Sequence, residues 1–532
     1  VIEATLSRRG GKRTTLLLPG LLAIAGPLIA LYATAQSAGV SPDSVVYIAA
    51  ARNLAAGAGL SLPDGLQGTT PMTHYPPLLP WLLAMSDLMG VDPAVGGRWL
   101  NAGLLGLTGF VVGAILAQAH RGSCLRVLLG TGLYILFDQH LLLHTWVLSE
   151  PLYFFFSLSG LYMLSAHVAG RRAIHLFLAG AGIGLAMLTR YVGVALLPVG
   201  VVAILWPGKE RLGWRLRRAS LFGALTVMPV GAWLLRNALL AGNPVNRSLV
   251  LHPVTAAHLT RAIQSLSLWL LPGRVPDPVA YAVAIAAIVA FIALAVRALG
   301  VREEGWAVGN PGEHTFHVLP YLLLAYMFSY ALTLALYISL LDVRASFHER
   351  LVAPLFGPAL IVTLILWPRD TGRRIGWASI AMAGLAVMLV GLHGARAGRL
   401  LPQMHEGRHL GYASRGWRDA GLIAAVKKLP PDVLIYSNAE DAIYFLTGRA
   451  ALRIPDKVNP FSGRPNPRYR EELLEMERAL VGEEGVLVYS SWITWRGYLP
   501  AEDELREALA LIPMVQEDAG TIYRVSAGPR DG

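Results

Sequence analysis

The sequence predicts a mainly α, polytopic membrane protein: a bundle of about eleven transmembrane helices followed by a small extracytoplasmic α/β domain. Three observations carry that prediction. Of 532 residues, 54% are hydrophobic and only 15% charged, and the mean hydropathy is +0.50, which is high for a chain with a water-facing surface. Apolar runs near the roughly 20 residues needed to cross a bilayer recur at about 15–35, 97–119, 126–143, 151–169, 174–189, 191–206, 218–236, 278–298, 317–341, 350–367 and 375–395. They should be helices, because unpaired backbone is untenable in hydrocarbon. From about residue 400 the pattern changes to short, strand-like and helix-like segments.

Charge sets the orientation. Residues 1–395 hold 27 Lys/Arg against 15 Asp/Glu, and residues 396–532 hold 18 against 19, so the net charge of +11 belongs to the membrane part. Loops beside spans commonly carry such an excess, and nucleic acid is therefore not an expected partner. With a cytoplasmic N-terminus, the inner segments collect Arg8, Arg9, Lys12, Arg13, Arg121, Arg126, Arg171, Arg172, Lys209, Arg211, Arg215, Arg217, Arg218, Arg297, Arg302, Arg369, Arg373 and Arg374. This is the positive-inside pattern. An odd number of spans then leaves the domain at 400–532 outside. Arg190-Tyr191 is a very short hinge between spans five and six; merging those spans would turn the charged loop 207–218 outward, against the pattern. Residues 8–35 also have the form of a signal peptide with a cleavage site at Ala33-Thr34-Ala35, but the apolar run exceeds the usual h-region of about 7–15 residues, so an uncleaved first span is expected. The single cysteine, Cys124, permits no intrachain disulfide.

Three outer segments are more than connectors. In 37–96, Ser41 as cap, Pro42 at the first helical position and Asp43 in the first turn start a helix with Val46, Ala50 and Leu54 on one stripe, ended by Gly57 and Gly59. It should lie on the membrane surface. The preference of helix N-termini for carboxylates is the plainer explanation of Asp43 there. Pro76 and Pro77 open a re-entrant or interfacial stretch. The segment 137–155 carries Asp138, His140, His144 and Glu150; Ser149 and Glu150 suit a plain helix start, or the group could hold a metal or a substrate. In 341–355, Asp342, Arg344, His348, Glu349 and Arg350 either anchor a span in the headgroups or hold an anionic group.

The order PDSVVYIAAARNLAAGAGL, YPPLLPWLL, LSEPLYFF, GIGLAMLTRYVGVALLP, WLLRNALLAGNP and HERLVAPLFGPAL resembles the GT-C class of membrane glycosyltransferases, over roughly residues 15–400. More narrowly it resembles the branch of protein O-mannosyltransferases and bacterial aminoarabinose transferases. The resemblance implies a transmembrane transferase domain at 1–399, with the first outer loop at 37–96 supplying surface helices, in a bacterial or archaeal plasma membrane. It implies a polyprenyl-phosphate sugar donor and a lipid, glycan or protein hydroxyl acceptor meeting at the outer face. By its motifs, Asp43 matches the catalytic base, Glu150 the acidic residue of the second outer loop, Arg190 a lipid-phosphate contact and Arg350 the arginine of the last large outer loop. Two positions depart from the pattern. Ser44 stands where many relatives have a second acid, and Tyr75, preceded by His74, stands where aminoarabinose transferases often have lysine. No cofactor is expected with certainty; a divalent metal, if used, would fall to Asp43 and Glu150.

The chemistry suits these residue types. A hydroxyl is a poor nucleophile at neutral pH, and a carboxylate that takes its proton late in the transition state contributes about 10²–10⁴-fold. The departing polyprenyl phosphate needs cations more than a general acid, which arginines supply. The alternative is a transporter or flippase of a lipid-linked sugar, which would carry ionisable groups at mid-membrane; here they gather at the outer ends of spans. A non-catalytic carbohydrate-binding scaffold is a third reading.

In 400–532, DVLIYSN and GVLVYSS read as buried strands, EELLEMERALVG and EDELREALALI as helices and TIYRVS as a final strand. Ser490-Ser491-Trp492 with Trp495 and Tyr498 either contacts carbohydrate or packs the core or a wall against the membrane domain, the packing reading being the plainer. KVNPFSGRPNPRYR reads as an exposed surface loop, with a cover for the active face as the alternative.

Overall fold

A computed structural model describes residues 2–65, 68–120, 123–206, 210–247, 249–300, 311–367 and 376–526. Arg121, Lys209, Arg302, Arg369, Arg373 and Arg374, counted above toward the inner loops, lie outside the described residues. In chain order the helices are α1 (Ile2–Ala33), α2 (Pro42–Ala55), α3 (Leu78–Leu88), α4 (Pro93–Ala119), α5 (Cys124–Leu136), α6 (Asp138–Thr145), α7 (Glu150–Gly170), α8 (Ala173–Thr189), α9 (Leu196–Leu205), α10 (Leu212–Ala241) and α11 (Ala256–Ser267). They continue with α12 (Asp277–Gly300), α13 (Pro311–Leu340), α14 (Glu349–Val352), α15 (Phe356–Ile365) and α16 (Trp377–His405). The C-terminal part adds α17 (Arg415–Asp419), α18 (Gly421–Lys428), α19 (Glu440–Thr447), α20 (Tyr469–Gly482) and α21 (Glu502–Ala508).

Among the described residues six helices are long and apolar enough to cross a membrane: α4, α7, α10, the Asp277–Val296 part of α12, the Val318–Leu340 part of α13 and the Ser379–His405 part of α16. The pair α5 and α6 makes a seventh if counted together, bent by 51°. The expected runs at 15–35, 174–189 and 191–206 correspond to shorter apolar helices, Leu17–Ala33, Ala173–Thr189 and Tyr191–Leu205, so the expected count is not reached by length. The run at 350–367 is broken into α14, a 3₁₀ turn at Ala353–Leu355 and α15, with Pro354 at the break.

Close packing fixes α1 against α4. A Cβ at Gly106 would come within 2.3 Å of the Ala23 carbonyl oxygen, so only glycine lets the two backbones meet. One buried core fills the bundle around Tyr153, Leu161, Ile183, Phe222, Tyr326 and Tyr330.

The segment 37–96, expected as the first outer loop, departs from the expected surface helix. Its cap is as read: Ser41 Oγ accepts from the Ser44 N–H at 3.2 Å, and Ser44 Oγ from the Ser41 N–H at 3.0 Å. Yet α2 is buried on most sides, with Val45, Tyr47, Ile48 and Ala49 to Ala51 inside and Val46 only partly covered. The reason is its neighbours, α3 on one side and α19 of the C-terminal part on another. After it, β1 (Ser61–Asp64) and β2 (Gly68–Pro71) pair as an antiparallel ribbon that the sequence did not announce.

The C-terminal part builds a five-stranded sheet from β3 (Ile435–Ser437), β4 (Leu452–Arg453), β5 (Val486–Ser490), β6 (Leu511–Glu517) and β7 (Gly520–Val525), in the order β4-β3-β5-β7-β6. Strands β4, β3 and β5 run parallel; β7 is antiparallel to β5 and β6. The helix read over EDELREALALI stops at Ala508, and Leu511 already pairs with Val525 in β6. This part does not stand apart. A single core contains Val40, Tyr47 and Ile48 of the first loop together with Leu410, Tyr412, Ala439 and Ile522.

Candidate active site

Two glycines bring the loops together. The Gly39 N–H donates to Thr145 O at 2.9 Å and the Val147 N–H to Gly39 O at 2.9 Å; the Val40 N–H donates to Leu410 O at 3.0 Å and the Tyr412 N–H to Val40 O at 2.9 Å. Residues 39–40 are thus laced to the junction before α7 on one edge and to the chain leaving α16 on the other. A Cβ at Gly39 would lie 2.5 Å from the Trp146 indole, and one at Gly411, whose φ is +57°, 2.2 Å from Val40 O. Neither position admits a side chain at this spacing. Asp43, in the first turn of α2, is thereby set beside Glu150, the first residue of α7.

Four expected residues meet there. Arg350 Nη2 lies 2.8 Å from Asp43 Oδ2, and its Nε donates to Glu150 Oε1. Arg190 Nη1 lies 2.6 Å from the same Glu150 oxygen. Arg190 itself sits in extended backbone between α8 and a 3₁₀ turn at Tyr191–Ala195, which is what frees its side chain from the helix. Glu150 is fully buried, whereas Asp43 and Arg350 keep about a quarter of their side-chain surface exposed. The buried acid organises the two cations and the accessible acid faces outward. Tyr75 donates its hydroxyl hydrogen to Asp43 Oδ1 at 2.7 Å. Burial pushes the Asp43 carboxyl upward in pKa, but Arg350, the Tyr75 hydrogen bond and Arg190 together outweigh it and hold the group below its ordinary value. Burial, with the Asp43 charge, raises the Tyr75 phenol well above its usual range, so it stays a donor.

A second cluster lies alongside. Arg247 Nη1 is 2.9 Å from Asp342 Oδ2, which also accepts from the Tyr337 hydroxyl at 3.0 Å, and Arg247 Nη2 donates to His74 Nε2 at 2.9 Å. Burial and the Arg247 charge push His74 down to about 4, so it is neutral near pH 7 and Nε2 is free to accept. Phe461 of the C-terminal part stacks on His74 at 4.9 Å and beneath Arg247 at 4.4 Å, while the Val343 N–H donates to its carbonyl at 2.9 Å. The segment around Phe461, whose plainer expectation was a surface loop, therefore roofs this side. Sequence reasoning missed Arg247 and Phe461 as site residues. The only signals were a glycosylation-type triplet at 246–248, whose Ser248 lies outside the described residues, and a Pro-rich loop.

The remaining candidates fall elsewhere. Asp138 does not join the cluster: it is the first residue of α6, just after the bend at Phe137, and pairs with His393 Nδ1 at 3.2 Å and Arg396 Nη1 at 3.3 Å on α16. Arg344 turns to the C-terminal part, over the Tyr498 ring at 4.4 Å and donating to Trp495 O at 3.4 Å. His348 stands at the N-cap of α14, two residues before Arg350. As for a metal, the Arg350 guanidinium bridges Asp43 and Glu150, and among the described residues no three His, Cys, Asp or Glu side chains converge. Glu150 Oε2 is buried with no hydrogen-bond partner, leaving one acceptor open to a cation or a hydroxyl.

Comparisons with known proteins bear on the segment that holds three of these four residues. Residues 39–239, which hold Asp43, Glu150 and Arg190, match the family model described as dolichyl-phosphate-mannose-protein mannosyltransferase. The fold is similar to that of ArnT from Cupriavidus metallidurans bound to undecaprenyl phosphate, with 15% identity, 96% of this chain and 99% of that chain covered, and a TM-score of 0.53. It is also similar to that of the arabinofuranosyltransferase AftD from Mycobacteria, with 15% identity, a TM-score of 0.51, and 97% of this chain but only 42% of that chain covered. No curated protein matches the sequence. These findings bear out the resemblance to the GT-C class of membrane glycosyltransferases.

Proposed function

We propose that this chain transfers a sugar from a polyprenyl-phosphate donor to an acceptor hydroxyl at the outer membrane face, with inversion at the anomeric carbon. The single observation that carries the reading is Arg350, one guanidinium shared between the accessible Asp43 and the buried Glu150. Asp43, Glu150, Arg190 and Arg350 sum to no net charge. An incoming phosphodiester anion must therefore compete with a carboxylate for a guanidinium, and the accessible Asp43 is the one more easily displaced. Donor binding then frees the carboxylate from the cation that depresses its basicity.

In the step itself, the acceptor oxygen bonds to the anomeric carbon as its proton passes to Asp43. The bond from that carbon to the phosphate oxygen breaks, and its electron pair leaves with polyprenyl phosphate, whose charge Arg190 and Arg350 stabilise. A divalent ion, where the donor carries one, would neutralise the same phosphate and would be held by Asp43 and the open oxygen of Glu150. The ArnT structure bound to undecaprenyl phosphate supports this donor class, and the family match supports a mannosyltransferase-like reaction. The reading includes the domain division near residue 400, a cytoplasmic N-terminus, an extracytoplasmic C-terminal part and crossing of the membrane by the shorter apolar helices. It is tested by mass spectrometry of envelope lipids, glycans and proteins from cells with the chain, without it and with Asp43→Asn. One glycosylated species should disappear in both of the latter; an unchanged inventory rejects the proposal.

A further inference from the structure

The carboxylate cluster occupies one end of α7, and the other end holds charge that the proposed reaction does not use. With 21 residues at about 1.5 Å each, α7 carries its last turn about 30 Å from Glu150, one hydrocarbon thickness away. There it meets the start of α8, which packs on both α7 and α10. The stretches 171–172 and 210–218 that open α8 and α10 carry six arginines against one acid, Glu210. Glu210 accounts for part of that charge: its Oε2 lies 2.5 Å from Arg218 Nη1 and 3.8 Å from Arg171 Nε. Arg215 donates from Nη1 to the Leu205 and Trp206 carbonyls at the end of α9, at 3.0 and 3.1 Å.

What remains is a set of polar atoms with no hydrogen-bond partner among the described residues: Arg171 Nη1, Arg215 Nε, and Nε2 of His167, a side chain that is wholly buried. The charges of Arg171, Arg218 and Glu210 all bear on that imidazole, and Arg171 in turn feels Arg215 and Arg218. His167 Nδ1 faces the Arg172 carbonyl at 3.0 Å and so carries the hydrogen of a neutral ring, which leaves Nε2 to accept from a hydroxyl. Donors buried without a partner are costly. Arg171, Arg215 and Arg218 against Glu210 leave two positive charges in excess, and the first turns of α8 and α10 add N–H groups that no side chain caps. Arg171, Arg218 and Glu210 are all partly exposed, so the cluster opens outward.

We infer that this end of the bundle binds the phosphate of an anionic glycerophospholipid, in the leaflet opposite the carboxylate cluster. Guanidinium groups hold phosphate through charge-assisted, often paired hydrogen bonds, and basic pockets between spans take such headgroups. The buried imidazole suits a headgroup hydroxyl beside the phosphate. A phosphate free in solution offers the arginines the same chemistry, but the surroundings favour the lipid. Ile174 and Phe177 on α8 and Leu212 and Trp214 on α10 are exposed apolar side chains within two turns of the cluster, and the Arg217 guanidinium lies over the Trp214 ring at 5.5 Å. Acyl chains would cover them; a soluble ion gains nothing from them. The inference stands whether or not the chain transfers a sugar.

Arg171 is the natural probe. Its backbone is left-handed, with φ +54°, where glycine is favoured, so Arg171→Gly removes the guanidinium without straining the chain. Arg172→Gln removes the same charge from the exposed neighbour. The test is native mass spectrometry of the full chain in uncharged detergent, titrated with dioleoyl-phosphatidylglycerol, dioleoyl-phosphatidylcholine or inorganic phosphate. One phosphatidylglycerol should be retained in preference to phosphatidylcholine, about tenfold or more weaker in Arg171→Gly and within about threefold of the native chain in Arg172→Gln. Glu210→Gln, which removes the internal competitor and leaves Arg171 in place, should tighten it, and this reading holds even where Arg171→Gly folds poorly. Equal weakening in Arg171→Gly and Arg172→Gln would reduce the effect to surface charge. Inorganic phosphate bound in an Arg171-dependent way with no lipid retained would make the ligand a soluble ion. Either result, no preference for phosphatidylglycerol, or no tightening in Glu210→Gln overturns the inference.

Discussion

Asp43 carries a conflict between being held and being reactive. A carboxylate whose folded pKa is lowered contributes its stabilisation above the unfolded value and loses it as pH falls through the folded one. Asp43 in the free protein, held below the ordinary carboxylate range chiefly by Arg350, is therefore ionised at neutral pH. If donor phosphate draws Arg350 away, the pKa rises in the complex. The acid limb of kcat should then lie at higher pH than that of kcat/KM, since the two report the complex and the free enzyme respectively; coincident limbs would contradict the competition for Arg350. Glu150 has the opposite task, since it is fully buried and pairs with both guanidiniums. Glu150→Gln leaves the Arg190 guanidinium without its carboxylate and Arg350 with Asp43 alone, and should cost about 3–5 kcal/mol, read as a lowered unfolding midpoint in nanodiscs. Retained stability in that variant would mean the arginines find other anions. At this scale the sequence was informative where a residue type announces a local role, as with Ser41, Pro42 and Asp43. It offered the segment of Phe461 only as an alternative cover for the active face and did not single out Arg247 or Phe461, because their meeting depends on segments more than two hundred residues apart.

Elements were legible by period and composition, but their bends were not. The run at 126–143 reads as one span with Asp138, Gln139 and His140 toward its outer end, where the chain instead turns at Phe137 between α5 and α6. Asp138 looked like an outer-loop ligand for that reason, and the structure instead ties it to α16. The helix after Ser41 was legible in its start and misjudged in its setting. An alanine-rich helix reads as half exposed until the second body that covers it, here α19, is known. Backbone contact between α1 and α4 gives an element-scale prediction. Gly106→Val should force the helices apart, at about 1–3 kcal/mol, and lower both yield and unfolding temperature. Gly103→Val, on the same helix with open space around its Cβ, should be neutral, and equal damage from both would refute the packing account.

Across the whole molecule, the composition alone indicated a membrane protein, and the uneven charge gave an expected orientation. The continuous core that joins the first outer loop to the C-terminal sheet was not visible in either, since each half reads as self-sufficient. Orientation is testable with the native Cys124, which is exposed and free. A membrane-impermeant maleimide should leave it unlabelled in intact spheroplasts and label it after lysis. In a Cys124→Ser background, Ser462→Cys beside the roof should label without lysis, and the reverse pattern would place the site on the cytosolic side.

The most direct measurement is transfer by the purified chain in nanodiscs, with radiolabelled polyprenyl-phosphate mannose and polyprenyl-phosphate arabinose offered in turn and envelope extract as acceptor. The account predicts labelled product from at least one donor, and a loss of about 10²–10⁴-fold in folded Asp43→Asn. Product formed at an undiminished rate by that variant, or labelled lipid carried across the bilayer with no sugar transferred, would contradict it.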